Sequence, residues 1–136
     1  MIKLTIPGKP IAKKRPRFAR RGKFVATYND QETEEGRFLW EVKQQYRGKP
    51  LKGPLQLCLE FGMYIPKSTS KKKQVEMIIG QIRHTKKPDL DNLIKFVLDC
   101  LNETAWDDDK QVIYLSAAKH YSETPQTVIV IVEANL

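Results

Sequence analysis

The chain of 136 residues is long enough for one domain with a single hydrophobic core and too short for two. Its composition, 40% hydrophobic and 29% charged, excludes a disordered chain, and no apolar run approaches the roughly 20 residues that span a bilayer. The net charge of +8 favours an anionic partner, either nucleic acid or an anionic lipid surface. The N-terminus has no export signal and the two cysteines lack metal-ligand spacing, so we expect a cytoplasmic protein with reduced thiols.

The positive charge is concentrated in two parts of the chain. Residues 1–29 contain nine Lys and Arg and no acid, and a second basic cluster extends from 67 to 87. Clustered cations are typical of a surface that displaces counterions from phosphates, although a solvated basic face is the plain alternative. The side chains that we expect to contact nucleic acid are Lys13, Lys14, Arg15, Arg17, Arg20, Lys86 and Lys87.

The first third of the chain combines a short strand, an irregular arm and a helix. Apolar and polar residues alternate over 2–6, which predicts a half-buried strand ended by a Pro-Gly pair. Residues 9–28 contain breakers and no periodicity, and their aromatic residues either stack on unpaired bases or pack onto the core. Asn29 or Asp30 can cap a helix that extends to about Tyr46, and the acids in its first turns complement the helix dipole. We expect this helix to be structural.

The remaining elements predict the fold class. Strict alternation over 55–65 predicts the clearest strand of the chain, and 71–81 predicts a short helix. The apolar runs at 112–119 and 127–132 predict two strands that residues 122–126 join as a hairpin. This order indicates an α+β fold, a mixed sheet of about four strands flanked by helices, in a single domain that spans the whole chain. The residues of the short helix expected to face inward are Val75, Ile78, Ile79 and Ile82.

Acidic residues are concentrated in one stretch, 86–110, which we call the acidic segment. A helix predicted over 91–102 places Asp91, Lys95 and Asp99 on one polar strip beside an apolar stripe. The stripe consists of Leu90, Leu93, Ile94, Val97, Leu98 and Leu101. Two further apolar residues fall on another side of the helix, which needs cover from the rest of the fold or from a second subunit. These are Phe96 and Cys100.

Two groups of acids in this segment are candidates for binding a divalent metal ion. In an ordinary helix, Asp89 and Asp91 would be caps or members of exposed ion pairs, such as the one with Lys95. The run at 107–109 changes this interpretation, because three adjacent carboxylates repel one another unless a cation such as Mg²⁺ compensates. An extended segment 103–108 is long enough to bring the two groups together, and a second subunit that supplies one group is the alternative.

Acids that hold a metal ion inside a basic protein suit phosphodiester hydrolysis. A metal ion lowers the pKa of bound water and neutralises the charge that develops at the phosphate. Lys95 lies on the same strip as Asp91 and is the candidate for stabilising that developing charge. Asp99 is expected to be the partner that orients Lys95.

At these residues the sequence resembles the RusA family of Holliday junction resolvases. The resemblance rests on Lys-Pro-Asp-Leu-Asp-Asn-Leu-x-Lys at 87–95, Asp-x-Leu-Asn at 99–102, Asp-Asp-x-Gln-Val at 108–112, and Lys119. The order and the spacing of these motifs agree together, which makes the match specific, while the arm at 7–18 matches more loosely. For Lys119 both a phosphate contact and a surface role remain open.

The resemblance implies a Mg²⁺-dependent endonuclease, with Mn²⁺ as a substitute, that acts as a homodimer on four-way DNA junctions and has no membrane partner. It implies that two opposed strands are nicked. Carried over position by position, Asp89 and Asp91 match the family's paired metal-binding aspartates, and Lys95 matches its catalytic lysine. Asp109 matches the third catalytic acid. Because it stands in a run of three, Asp107 or Asp108 could share the metal role, and Asp108 is the second choice.

Three other functions are weighed against junction resolution. A related enzyme would cut other branched DNA, such as flaps or replication forks. A non-catalytic protein that binds branched DNA would use the same acids as caps and ion pairs. A metal-dependent enzyme acting on free nucleotides is disfavoured, because the chain has no Gly-rich loop that would cradle a phosphate.

Overall fold

The computed structural model describes residues 1–14 and 31–135 in full, and 17–21 and 24–28 as backbone. Within these residues it confirms the α+β prediction, with three helices, a four-stranded mixed sheet and a separate two-stranded hairpin. The strands are β1 (Ile2–Pro7), β2 (Arg17–Arg21), β3 (Phe24–Tyr28), β4 (Leu55–Met63), β5 (Val112–Tyr121) and β6 (Gln126–Glu133). The helices are α1 (Glu32–Gln45), α2 (Lys71–Ile78) and α3 (Leu90–Leu101), and a 3-10 turn covers Asp109–Gln111. None of the described helices is both long and apolar enough to cross a membrane.

The main sheet has the strand order β1-β6-β4-β5, so the predicted hairpin of β5 and β6 is wrong. Strand β4 lies between them, parallel to β5 and antiparallel to β6. Its inward side chains are almost fully buried, and a central position allows this apolar strand to be covered on both edges. The connection from β5 crosses the end of β4, where the Ser122 N–H donates to the Met63 carbonyl at 2.8 Å. Gly62 permits this crossing, because a Cβ there would lie 3.0 Å from the Ser122 Cβ.

Helices α1 and α3 share the core with the inward side chains of the sheet. The Phe96 ring of α3 is 1% exposed and meets the Phe38 ring of α1 edge to face, with 5.4 Å between ring centroids. Cys100 is buried in the same core. The fold of one chain therefore covers the two residues for which a second subunit was the alternative. Of the predicted stripe, the buried members are Leu93, Val97 and Leu101, and the half-buried ones are Leu90, Ile94 and Leu98.

The inward face predicted for the short helix is wrong. Helix α2 ends at Ile78, and none of its residues is buried. Val75 and Ile79 are 58% and 62% exposed, because the core is already filled by α1, α3 and the sheet. Ile82 lies beyond the end of this helix and is half-buried. An apolar spacing of three and four residues predicts a helix but does not guarantee that another element covers it.

The arm predicted as irregular contains the hairpin of β2 and β3, in which Arg21 pairs with Phe24. The sequence has a signal for it, since Gly22 is the first of two residues between the strands and β-formers follow. Helix α1 begins at Glu32, and the two cap candidates before it lie outside the described residues. The side chains of the aromatic residues in the arm also lie outside the described residues. Stacking on bases and packing onto the core therefore both stay predictions for them. These cap and aromatic residues are Asn29, Asp30, Phe18, Phe24 and Tyr28.

Candidate active site

The paired aspartates lie at the exposed start of α3. Asp89 occupies the N-cap position, yet its side chain makes no capping hydrogen bond within the described part of the chain. Asp91 is in the first turn, and its Oδ1 accepts a hydrogen bond from the N–H of Asn92 at 2.9 Å. Both carboxylates are exposed. Helix capping therefore does not occupy Asp89, although the sequence made it a natural cap, and both side chains can meet a ligand from solvent.

Lys119 anchors the loop that leads into this pair. Its Nζ donates to the carbonyl of Lys86 at 2.6 Å and to the carbonyl of Pro88 at 2.9 Å. These carbonyls belong to residues just before Asp89, and Lys119 lies on β5, which is packed in the main sheet. The ammonium thus ties the Asp89 loop to the sheet. Phosphate contact by Lys119 stays a prediction, but two of its three donors are directed at the protein.

Lys95 and Lys13 share one carboxylate. The Asp99 Oδ2 lies 3.7 Å from the Lys95 Nζ and 3.5 Å from the Lys13 Nζ, which is also 3.7 Å from a Glu35 oxygen. The Lys13 side chain is only 24% exposed, and its backbone N–H donates to the Asn92 carbonyl at 2.9 Å. Lys13 therefore fastens the arm to α3. The Lys95 side chain is 63% exposed, so it keeps the solvent access that a phosphate contact requires.

The three adjacent acids have different partners. Asp107 makes an ion pair with Lys52, whose Nζ lies 2.8 and 2.7 Å from its two carboxylate oxygens. Asp108 caps the 3-10 turn, accepting from the Lys110 N–H at 2.8 Å, while the Gln111 side chain accepts from its backbone N–H. Asp109 is half-buried, and its carboxylate makes no hydrogen bond or ion pair with the described residues, although its backbone carbonyl accepts from the Val112 N–H. Among the three carboxylates it is the one without a partner in the described part of the chain, and its first rank as a metal ligand stays a prediction.

The described residues of one chain do not bring three acidic, His or Cys side chains together into a group that could hold a metal ion. Asp89 and Asp91 are hard oxygen donors that face solvent, which fits Mg²⁺, since this ion keeps several waters and takes one or two carboxylates. The donor chemistry therefore fits the ion, whereas a site with all three acids needs a movement of the chain or an acid from a second subunit.

Gln31 is a buried residue that the sequence did not single out. It is 1% exposed, its Oε1 accepts from the Lys14 N–H at 2.7 Å, and its Nε2 donates to the Ala12 carbonyl at 2.9 Å. These bonds clamp the arm onto the start of α1, and Lys14 adds an ion pair of 3.8 Å with Glu34. No local pattern predicts this clamp, because an isolated Gln before a helix has no signature. Of the expected nucleic-acid contacts, Lys86 and Lys87 are exposed, and the side chains of Arg15, Arg17 and Arg20 lie outside the described residues.

His84 lies beside the loop that Lys119 anchors. Its surroundings lead us to expect that the free energy of unfolding depends on pH. Burial lowers its pKa below the ordinary 6.5, and the charge of Lys119 lowers it further. Its Nδ1 is buried without a hydrogen-bond partner in the described structure. The ring packs against the Tyr121 ring, with 4.9 Å between the ring centroids. Below about pH 6.5 the unfolded chain therefore binds more protons than the folded chain, and the free energy of unfolding falls as the pH drops.

The measurement compares the melting temperature at about pH 7.5 and about pH 5.5 in the wild type and in His84→Asn. The variant should lose less stability on acidification. His120→Asn is the matched control, because His120 is an exposed histidine on β5, with its Nε2 3.5 Å from a Glu60 oxygen. An equal loss in the wild type and in His84→Asn would show that the buried ring does not cause the effect.

Comparison with known proteins places these residues in a family. The family model described as Endodeoxyribonuclease RusA matches residues 7–132, which include all the acids discussed above and Lys119. The chain is also 36% identical over 138 residues to the Uncharacterized protein YqaN of Bacillus subtilis (strain 168), a match that covers 98% of this chain and 97% of that protein. The resemblance noted from the motifs is confirmed, and this chain belongs to the RusA endodeoxyribonuclease family.

Proposed function

We propose that this chain is a Mg²⁺-dependent, structure-selective endodeoxyribonuclease that resolves four-way DNA junctions by paired nicks, in DNA recombination and repair. The observation that carries the proposal is the exposed pair Asp89 and Asp91, left free of capping by the described fold at the start of α3. Membership of a family of endodeoxyribonucleases supports the nuclease class. The whole chain acts as one endonuclease domain.

The residues divide the chemistry among them. Asp89, Asp91 and Asp109 hold Mg²⁺ or Mn²⁺, with Asp108 as the alternative to Asp109, and the bound ion supplies a water of lowered pKa and neutralises phosphate charge. Lys95 places a positive charge beside the phosphate, where it stabilises the negative charge that develops during cleavage. Asp99 holds Lys95 in place, and Lys119 holds the Asp89 loop.

A homodimer suits this reaction, because a four-way junction presents two symmetry-related strands and each subunit then addresses one of them. A second subunit is also a source for the third acid, which the described part of one chain does not bring to the Asp89 pair. The basic side chains of the arm and of the loop before Asp89 bind the DNA phosphates, with no membrane involved. A cytoplasmic location agrees with the two free thiols, and burial raises the pKa of Cys100 to about 12, which keeps it protonated.

The separated acids favour one alternative, a protein that binds branched DNA without cutting it. One assay decides between the two functions. A labelled four-way junction is incubated with the protein in Mg²⁺ and in EDTA, beside a linear duplex of the same sequence. The proposal expects paired nicks near the branch point in Mg²⁺ only. Junction binding with no nicking in Mg²⁺ or Mn²⁺ would leave the binding protein as the function.

If the basic arm contacts DNA phosphates, the affinity for a junction should depend on salt through its arginines. Arg15→Ala and Arg17→Ala should each weaken binding, and each should make the slope of log affinity against log salt shallower by about 0.9 if one phosphate contact is lost. Binding is measured in EDTA over a range of salt concentrations. Arg47→Ala, which removes an exposed arginine just after α1, is the control with an unchanged slope. Unchanged slopes in the arm variants would make the arm a solvated basic face.

A further inference from the structure

A cavity of about 750 Å³ lies beside the candidate active site. Among the described residues it is lined mainly by the end of β1 with the arm to residue 14, one side of α1, and the loop at 87–89, and α3 and β6 add one residue each, Asn92 and Thr127. Asp89 itself belongs to the wall. The volume falls within the range of about 300–1,000 Å³ that holds a small organic ligand. A ligand in this cavity would therefore touch the group that we assign to metal binding.

The wall combines apolar surface with cations and with three acids, Glu34, Glu41 and Asp89. Pro7, Pro10 and Ile11 contribute flat apolar surface, whereas Arg37 and Lys87 are exposed cations at the same cavity. Among the described residues neither cation has an ion pair, unlike Lys13 and Lys14 on the same wall, each of which pairs with a glutamate. An apolar wall accepts the face of a nucleobase, and unpaired cations accept phosphates.

We propose that this cavity receives one unpaired nucleotide of the branched DNA, next to the phosphate that is cut, with Arg37 and Lys87 bound to its backbone. The proposal rests on the proposed function and deepens it, because it explains how branched DNA is selected. A base in a duplex must be unstacked and unpaired before it enters such a cavity, which costs free energy. A nucleotide at the crossover of an open junction is loosened, because its base pair stacks on one side only, so the cavity favours branches over linear duplex.

Arg37 is the residue that this assignment adds. It lies on α1, a helix that the sequence indicated to be structural, and it was not among the expected DNA contacts. Its side chain is exposed and lines the same cavity as the Asp89 loop. Because a lost hydrogen bond from a charged group weakens binding by roughly tenfold, Arg37→Ala should reduce junction affinity by about that factor. Linear duplex, which offers no loosened nucleotide, should be bound nearly as before.

The test uses a four-way junction with 2-aminopurine at the nucleotide next to the crossover, in EDTA so that no strand is cut. The fluorescence of 2-aminopurine increases when the base leaves the stack. Binding of the wild type should raise it, and Arg37→Ala should lower both the affinity and the preference for junction over duplex. Arg37→Lys keeps the charge and should recover part of the affinity. Arg47→Ala is the control for loss of one exposed arginine near α1, and circular dichroism checks that each variant is folded.

Each result has one meaning. A wild type that binds the junction without any increase in fluorescence, at each of the nucleotides around the crossover, overturns the cavity assignment. So does an Arg37→Ala affinity equal to that of Arg47→Ala. Both results leave the proposed nuclease function intact, because nicking is measured separately in Mg²⁺. Fluorescence that rises in EDTA without nicking in Mg²⁺ supports the cavity and overturns the nuclease function instead.

Discussion

Asp91→Asn is expected to reduce Mg²⁺-dependent nicking of a four-way junction by about 100-fold or more. The amide is nearly the same size as the carboxylate but has no charge, so it cannot balance a divalent ion, and an ion contributes several kcal/mol to such reactions. Folding should hardly change, because Asp91 is exposed and the amide oxygen of asparagine can still accept the hydrogen bond from the Asn92 N–H. Junction binding in EDTA should also remain.

Single-turnover nicking rates measured over a range of Mg²⁺ concentrations test this expectation. Asp107→Asn is the matched control, because Asp107 is an exposed aspartate in the same segment whose carboxylate pairs with Lys52. It should keep most of the rate. Nicking that is unaffected by Asp91→Asn would move the metal site elsewhere and leave the nuclease class standing. Equal losses in Asp91→Asn and Asp107→Asn would point to a general charge effect.

Lys119→Met is expected to reduce the nicking rate by about 10- to 100-fold, the usual effect of losing a group that orients a metal ligand. The methionine side chain fills similar space but cannot donate, so the carbonyls of Lys86 and Pro88 lose their bonds to β5. The loop before Asp89 is then no longer tied to the sheet. The loss should appear as a weaker apparent affinity for Mg²⁺, since Asp89 is placed less accurately.

The salt dependence of junction binding separates this positioning role from a phosphate contact. A positioning role leaves the slope of log affinity against log salt unchanged, whereas a lost phosphate contact makes it shallower by about 0.9. Lys110→Met serves as the control, because Lys110 is an exposed lysine in the preceding turn. A shallower slope with an unchanged rate at saturating protein would assign Lys119 to DNA binding, one of the two roles that the sequence left open.

Much of the local structure could be predicted from the sequence. Period-two alternation predicted β1 and β4, and helical spacing predicted α3 with its paired aspartates at the start, because these patterns need only neighbouring residues. The hairpin of β5 and β6 was wrong for the opposite reason. Strand β4 lies between β5 and β6 because its apolar side chains need cover on both edges. That requirement comes from a strand more than 60 residues before the end of β6, so no local pattern shows it. The exposure of the apolar side chains of α2 was missed for the same reason, because whether another element packs over them depends on distant parts of the chain.

The candidate site divides along the same line. The motif at 87–95 was enough to single out Asp89, Asp91 and Lys95, because all three lie within a few turns of one helix. Their surroundings depend on contacts between distant parts of the chain. Lys119 donates a hydrogen bond to the Asp89 loop, at a residue 33 positions earlier in the chain. Lys52 pairs with Asp107, which lies 55 positions later.

Local pattern therefore specified the chemical groups of this protein, its basic character and its family. Packing decided the surroundings of those groups: which acid lacks a partner among the described residues, which lysine holds a loop and which lysine faces solvent. The physical reason is that a hydrogen bond or an ion pair forms only between groups held a few ångströms apart. Residues far apart in the chain meet that condition only once the sheet and its helices have packed. The cavity beside Asp89 exists for the same reason, because the arm, α1 and the loop before α3 enclose it together.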